Sequence, residues 1–372
     1  MRVIVAAAGT AGHINPGLAI ANKIKQEEKD SEIIFIGTTR GLENDLVPRA
    51  GYELKTIDAY GLSKKISIDN IKKLIKTFKG FSEAKKIVEN FKPDVVIGTG
   101  GYICGAVISA AHKKKIPTLL HESNAFPGKA VKLLVKKTDT IMLGFEETTE
   151  RIKNAKNVVY TGNPVKIKKI DYSESEKKKI ITDLGLSTDK PIILIFGGSQ
   201  GAQKINEAII DIIKNKLNRN YQLMWATGPK QYDIIKGKLE DDHININKIE
   251  NAKIVSYIYE MEQVMNVSDV IVARSGAMTI TEISNLGKPS ILIPLPNVSN
   301  NHQYYNAKVL KDKGAAEIIL NDDLKDGNTL NREIERIILE KSNIKKMGDN
   351  ALKNATHNVE DKIYSEIKKL VK

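Results

Sequence analysis

Cysteine is almost missing from this chain of 372 residues: Cys104 is the only one. No internal disulfide can form, and no cysteine-based metal site can be built. With Gly101, Tyr102, Ile103, Gly105 and Ala106 around it, Cys104 reads as a small residue packed against a strand end, not as a reactive thiol. Aromatic residues are also few, at 5%, and with 41% apolar residues the composition fits a soluble α/β protein and excludes a fibrous or disordered one. No apolar run reaches the roughly 18 residues that a spanning helix needs, and residues 1–8 read as a short strand instead of a signal peptide. A cytoplasmic location is expected. Acidic residues are outnumbered, leaving a formal charge of +13 that points to a polyanionic partner. Charge alone does not separate nucleic acid from an anionic membrane or a phosphorylated substrate.

What the chain does have is alternation. A strand (2–7), a glycine turn (9–13) and a helix from about Pro16 to Lys25 open it. A strand (191–196), a turn (197–202) and a helix (203–214) repeat that opening near the middle. Between and after these lie further strands at 32–37, 53–57, 94–98, 118–121, 140–143, 222–227, 252–256 and 270–273. Helices are expected at 68–90, 105–113, 129–136, 231–238 and 261–267. Almost wholly apolar strands separated by helices imply parallel sheets covered on both faces, so the chain reads as two doubly wound α/β domains. The polar stretch 168–179 reads as a linker. The lysine-rich tail from about Asn331 is helical, and periodicity leaves open whether it ties the domains together or caps the second.

The stretch 273–307 carries the most chemistry. A buried strand ends in Ser275-Gly276, a helix bearing Glu282 follows, and then come a second apolar strand and an amide-rich loop. This gathers a helix N-terminus, a carboxylate and amide side chains at one edge of a parallel sheet, which suits a nucleoside diphosphate sugar. Gly197–Ala202 adds three glycines and Ser199, a phosphate-binding arrangement without the Gly-Lys-Ser/Thr ending of an NTP-hydrolysing loop. The 9–13 turn also lacks the full dinucleotide fingerprint, which disfavours an oxidoreductase. His13 stands at that turn, where an imidazole could take a proton from an attacking hydroxyl. His121-Glu122-Ser123-Asn124 supplies a second strand-end group, for which acid-base work, hydroxyl recognition and the capping of the next helix are the readings. From 61 to 90, eight lysines face three acids. Leu74, Ile75, Phe78 and Phe81 interleave there with Lys72, Lys76 and Lys79, and an anionic membrane surface or an ordinary core-facing helix would both fit.

Taken in order, A-G-T-A-G-H-I-N-P-G-L-A from Ala8, G-T-G-G-Y from Gly98, H-E-S-N from His121, T-G-N-P-V from Thr161, G-G-S-Q-G-A from Gly197, R-S-G-A-M-T-I-T-E from Arg274 and H-Q-Y-Y-N-A from His302 resemble the MurG family within glycosyltransferase family 28. The resemblance runs over nearly the whole length. It implies a GT-B architecture, two Rossmann-like domains facing across a cleft. Residues 1–163 would bind the acceptor and dock on the membrane, with a tail helix of about 350–372 packing back, and 164–349 would bind UDP-N-acetylglucosamine.

Carried over by matching position, Ile258 would meet the uracil and Glu282 both ribose hydroxyls. Ser199, Gln200 and Gly201 would hold the diphosphate. Ala277, Met278 and Thr279 would line the donor pocket, with His302 beside it and Gln303 on the sugar. Thr10, Ala11 and Gly12 would approach the diphosphate, and Asn124 would complete the sugar pocket. Ala8 and Ala11 replace family glycines, and Lys166 replaces an arginine, keeping charge but losing the bidentate fork.

The implied reaction is inverting transfer of N-acetylglucosamine to the muramoyl sugar of an undecaprenyl-linked muramoyl-pentapeptide, at the cytoplasmic face of the cell membrane. His13 is expected as base, Glu122 and Tyr102 as its partners, and the Ser199 loop with Lys166 as the stabiliser of departing UDP. Neither a metal nor a cofactor is expected. A UDP-N-acetylglucosamine 2-epimerase, and a non-catalytic sugar-nucleotide-binding or membrane-docking subunit, are the alternatives. Nucleic acid is not an expected partner, since the lysines are not interleaved with exposed aromatics and no recognition motif is present.

Overall fold

Every strand that the apolar runs predict pairs in parallel with its neighbours. The computed structural model describes residues 1–60, 68–198 and 202–371, apart from the side chains of 68–76 and 78. The chain divides into two units, Met1–Val165 with Thr356–Lys372, and Lys166–Ala355.

In the first unit the elements run β1 (Arg2–Ala7), α1 (Ala11–Glu27), β2 (Glu32–Gly37), α2 (Glu43–Arg49), β3 (Glu53–Thr56), α3 (Ile68–Phe91), β4 (Val95–Gly100), α4 (Ile103–Lys113), β5 (Thr118–Glu122), α5 (Lys129–Leu134), β6 (Thr140–Leu143) and β7 (Val158–Tyr160). The sheet order is β3-β2-β1-β4-β5-β6-β7. Val3, Ile4 and Val5 of the central strand, like Val95, Val96 and Ile97 beside it, are fully buried, as a sheet with helices on both faces requires. Strand order reverses between β1 and β4, so the loops leaving their carboxyl ends part to opposite faces and open a crevice there.

The second unit holds α6 (Glu174–Asp183), β8 (Ile192–Phe196), α7 (Gln203–Lys214), β9 (Gln222–Ala226), α8 (Pro229–Asp241), β10 (Ala252–Val255), α9 (Met261–Val267), β11 (Val270–Ala273), α10 (Ala277–Leu286), β12 (Ser290–Leu292), α11 (His302–Asp312), β13 (Ala316–Ile318), α12 (Gly327–Ile338) and α13 (Lys341–Leu352). Its order, β10-β9-β8-β11-β12-β13, repeats the reversal between β8 and β11. Trp225 is fully buried in its core, and its Nε1–H donates to Asn206 Oδ1 at 3.1 Å.

The last helix, α14 (Val359–Leu370), belongs to the first unit. Val359, Ile363 and Ile367 join the core formed by Ile14, Ile20 and Ile24 of α1. Glu28 binds the Met1 amine at 3.1 Å, Lys368 Nζ at 2.8 Å and the Tyr364 hydroxyl at 2.9 Å.

Two boundaries differ from expectation. Helix α1 begins at Ala11, not near Pro16, so His13 stands in its first turn. Pro16 lies inside the helix and forfeits only the bond to the carbonyl of Gly12, an exposed residue whose carbonyl can meet water. The supposed linker 168–179 contains the start of α6, nucleated by a capping box: Glu176 N–H donates to Ser173 Oγ, and Ser173 N–H donates to Glu176 Oε2.

Candidate active site

The first constellation forms where β1 and β4 diverge. Thr10 caps α1 in extended conformation, and its carbonyl accepts from the amides of His13 and Ile14. The amides of Ala11 and Gly12 are first-turn groups with no place in the helical ladder. Thr10 and Gly12 are exposed, and Ala11 is half-buried. The His13 ring packs against Gly100, where φ is +133° and a Cβ would come within 2.2 Å of the imidazole Cδ2. Only glycine fits there.

His13 Nδ1 lies 3.0 Å from the carbonyl oxygen of Ala8. A carbonyl can only accept, so Nδ1 carries the hydrogen, and the neutral ring keeps an unprotonated Nε2. Burial pushes the imidazole below its usual value, and the Ala8 bond and the charge of Glu43 pull the other way. A ring that is neutral with a defined tautomer can receive a proton at Nε2. Tyr102, 66% exposed, stands at the start of α4, two residues after Gly100.

Glu122 is held by the loop that follows it. Its Oε1 accepts from the Asn124 amide at 2.9 Å and from Asn124 Nδ2 at 3.1 Å, and its Oε2 accepts from the Gly128 amide at 2.6 Å. Gly128 is the N-cap of α5, so this bond reaches the start of that helix. These three bonds tie the 123–128 loop to the end of β5 and orient the half-buried Asn124. His121 is also engaged by its surroundings. Its Nε2 pairs with the Gly162 carbonyl at 3.0 Å and its Nδ1 with Ser123 Oγ at 3.2 Å, and burial pushes it down to about 4. Cys104 is buried, its thiol pushed up to about 12 by that burial, and it packs against the β1 and β4 backbone.

The second constellation forms where β8 and β11 diverge. Gly276 caps α10, and no acidic residue occupies the first turn of that helix. The amides of Ala277, Met278 and Thr279 are therefore helix-end donors aimed at whatever anion lies beyond, with the dipole behind them. Glu282 follows on the same helix. No hydrogen bond or ion pair joins its carboxylate to a described residue, and burial raises it to about 7. A carboxylate that loses hydration and gains nothing in return is unusual in a settled core, and such groups cluster at functional sites. Gln303 Oε1 accepts from the Leu295 amide at 2.9 Å, which leaves its NH2 to donate. His302 Nδ1–H donates to the Ser299 carbonyl at 2.8 Å. Arg274 is buried against the carbonyls of Ile293 and Pro294 and against Asn321 Oδ1, holding the loop before Gln303.

Ile258 is buried, flanked by Tyr257 at 52% and Tyr259 at 87% exposure, whose rings meet edge to face at 5.1 Å. Two exposed aromatic faces beside a buried isoleucine offer a stacking surface for a base. Sequence reasoning passed over them, although a Tyr-x-Tyr pair after a strand was visible. Lys166, exposed, opens the second unit. Ser199, Gln200 and Gly201 lie outside the described residues. So do the side chains of Lys72, Leu74, Ile75, Lys76 and Phe78. Of the basic-apolar helix α3, Lys79 is exposed and Phe81 is 39% exposed. Among the described residues no helix is long and apolar enough to cross a membrane, and no group of three or more His, Cys, Asp or Glu could hold a metal ion.

Two parallel-sheet units, each with its strand order reversing at a switch point, have the architecture of the GT-B fold class. Residues 3–143 match the glycosyltransferase family 28 N-terminal domain, and residues 192–363 match the family 28 C-terminal domain. The Acetivibrio thermocellus UDP-N-acetylglucosamine–N-acetylmuramyl-(pentapeptide) pyrophosphoryl-undecaprenol N-acetylglucosamine transferase is 43% identical over 374 residues, covering 100% of this chain and 99% of that protein. The Clostridioides difficile protein of the same name is 39% identical over 372 residues, covering 100% and 89%. The crystal structure of Acinetobacter baumannii MurG superposes with a TM-score of 0.78 at 26% identity, covering 99% of each chain. A Neisseria meningitidis UDP-GlcNAc 2-epimerase, at 16% identity and a TM-score of 0.64, shares the fold alone. The chain belongs to glycosyltransferase family 28, among the MurG-type N-acetylglucosamine transferases.

Proposed function

We propose that this chain transfers N-acetylglucosamine from UDP-N-acetylglucosamine to the muramoyl sugar of undecaprenyl-diphospho-muramoyl-pentapeptide, with inversion at the anomeric carbon. The observation that carries the donor reading is Glu282, a half-buried carboxylate that no described residue pairs with, on the helix whose first-turn amides belong to Ala277, Met278 and Thr279. Two ribose hydroxyls supply the missing donors. The amides of α10, the N-terminus of α7, the Ser199 loop and Lys166 take the diphosphate. Ile258 meets the uracil with Tyr257 and Tyr259 beside it, and Gln303 donates to the sugar.

The acceptor hydroxyl gives its proton to His13 Nε2 as its oxygen bonds the anomeric carbon. The bond from that carbon to the diphosphate oxygen breaks, and UDP departs with the electron pair. Helix N-termini and the Lys166 cation stabilise the charge that grows on the leaving group. Thr10, Ala11 and Gly12 add first-turn amides, and Glu122 sets Asn124 for the sugar. Exposed Lys79 and Phe81 on α3 support docking of the first unit on an anionic membrane surface from the cytoplasmic side.

The deciding experiment supplies radiolabelled UDP-N-acetylglucosamine and the lipid-linked muramoyl-pentapeptide, then extracts into organic solvent. Label in the organic phase is expected. Label that stays aqueous, with the manno epimer formed from donor alone, would turn the assignment to the epimerase.

A further inference from the structure

One buried carboxylate of the first unit is used by nothing in that scheme. Glu43, the first residue of α2, is fully buried. Its Oε1 accepts from the Thr38 amide at 2.8 Å and the Thr38 hydroxyl at 2.7 Å. Its Oε2 accepts from the Gly9 amide at 2.8 Å, and the Gly9 carbonyl in turn receives the Leu42 amide at 3.4 Å. Two glycines make room for it. A Cβ on Gly41 would lie 2.0 Å from Oε2, and one on Gly37 would lie 2.6 Å from Cγ.

The Gly9 N–H and the Ala8 C=O are two ends of a single peptide group. On its amide side that group donates to Glu43, and on its carbonyl side it receives His13 Nδ1–H at 3.0 Å. Hydrogen bonds in series through a planar amide polarise one another. A carboxylate pulling on the N–H makes the carbonyl oxygen a stronger acceptor, and a stronger acceptor holds the imidazole hydrogen on Nδ1 and favours a second proton on Nε2. The arrangement does what a carboxylate bonded directly to a catalytic histidine does, with one peptide inserted between them. Among the described residues, Glu43 is the charged group whose field acts on the His13 ring.

We infer that Glu43 is a positioning residue which, through the Ala8–Gly9 peptide, fixes the tautomer of His13 and raises its basicity toward the acceptor hydroxyl. This rests on the reading of His13 as the base. Burial opposes the charge on Glu43, but the Gly9 amide and both Thr38 donors outweigh it and hold the carboxyl below its usual range, so the relay stays charged at neutral pH.

The test is Glu43→Gln in the full chain. The amide keeps the shape but loses the charge, and it turns an NH2 toward one of the N–H donors. The His13 titration, followed by NMR on protein with 15N-labelled histidine and assigned by the signal missing from His13→Ala, should move down by roughly half a unit or more. Turnover should fall by about tenfold or more, with the KM for UDP-N-acetylglucosamine held within about twofold. In a His13→Ala background Glu43→Gln should cause no further fall, because both act through one ring. A folded Glu43→Gln protein with unchanged turnover and an unmoved His13 titration overturns the inference. If that variant does not fold, the wild-type spectra still decide. Neutral His13 protonated on Nδ1 supports the relay, and protonation on Nε2 breaks its first link. A His13→Ala protein that keeps its turnover refutes the base reading instead, while the titration shift still reports on the relay.

Discussion

Donor binding should compete with a proton at Glu282. Burial raises this carboxyl to about 7. Only the ionised form can accept from both ribose hydroxyls, and those bonds lower the value in the complex. With the bound-state value far below, the apparent Kd for UDP-N-acetylglucosamine should be about twofold above its alkaline limit at pH 7, about tenfold above it at pH 6, and approach a hundredfold at pH 5. Each unit corresponds to about 1.4 kcal/mol. Calorimetric titration between pH 5.5 and 8.5 measures this directly, and the donor's diphosphate diester stays ionised throughout. Glu282→Gln should flatten the curve and weaken binding by roughly 1.5–3 kcal/mol, the range for a hydrogen bond to a charged group. Stability should move the opposite way. The folded value lies above the ordinary 4.5, so the native state holds the extra proton, and free-protein stability declines as pH rises from 4.5 to about 7. Glu282→Gln should therefore melt higher than the parent at pH 8 while binding the donor worse. A wild-type Kd flat across the whole range would refute the ribose role.

His13→Ala should lower kcat by about 10² to 10⁴ while calorimetry finds donor affinity unchanged; normal turnover would remove His13 from the chemistry. Gly100→Ala should cost activity at least tenfold and lower the melting temperature, since its Cβ would strike the imidazole from a backbone with φ at +133°. Cys104, buried with its thiol pushed up to about 12, should react with a thiol reagent at neutral pH only after denaturation, and rapid labelling of native protein would contradict its packing. Replacing Lys79 and Phe81 together by Glu and Ser should reduce co-sedimentation with anionic vesicles and leave donor affinity intact; unchanged sedimentation would move the docking face elsewhere.

The two doubly wound sheets were legible because parallel strands buried on both faces carry unbroken apolar runs. Val3 to Ala7 and Ile192 to Ile195 needed no context. The glycine turn at 9–13 was legible too, since strand, turn and helix follow there in immediate succession. What escaped depends on contacts between distant segments. Glu43 lies in a stretch with no motif, and its role exists only because Gly9, 34 residues earlier, meets it. That the amides of Asn124 and Gly128 curl back onto Glu122 is likewise a matter of loop geometry that residue types leave undetermined. Pro16 misled the start of α1, because proline favours a first turn but does not forbid an interior position beside a solvent-facing carbonyl.

The return of α14 to the opening helix has a consequence for biogenesis. The first unit is sequence-discontinuous, and residues 166–355 are threaded into it like an insert. During synthesis its β-sheet emerges early, yet the apolar side of α1 that awaits Val359, Ile363 and Ile367 stays uncovered until the ribosome has delivered the final helix. The inserted unit can mature in the meantime. Truncation of the last dozen residues should therefore harm the half of the molecule made first, and leave the half made just before the cut comparatively whole.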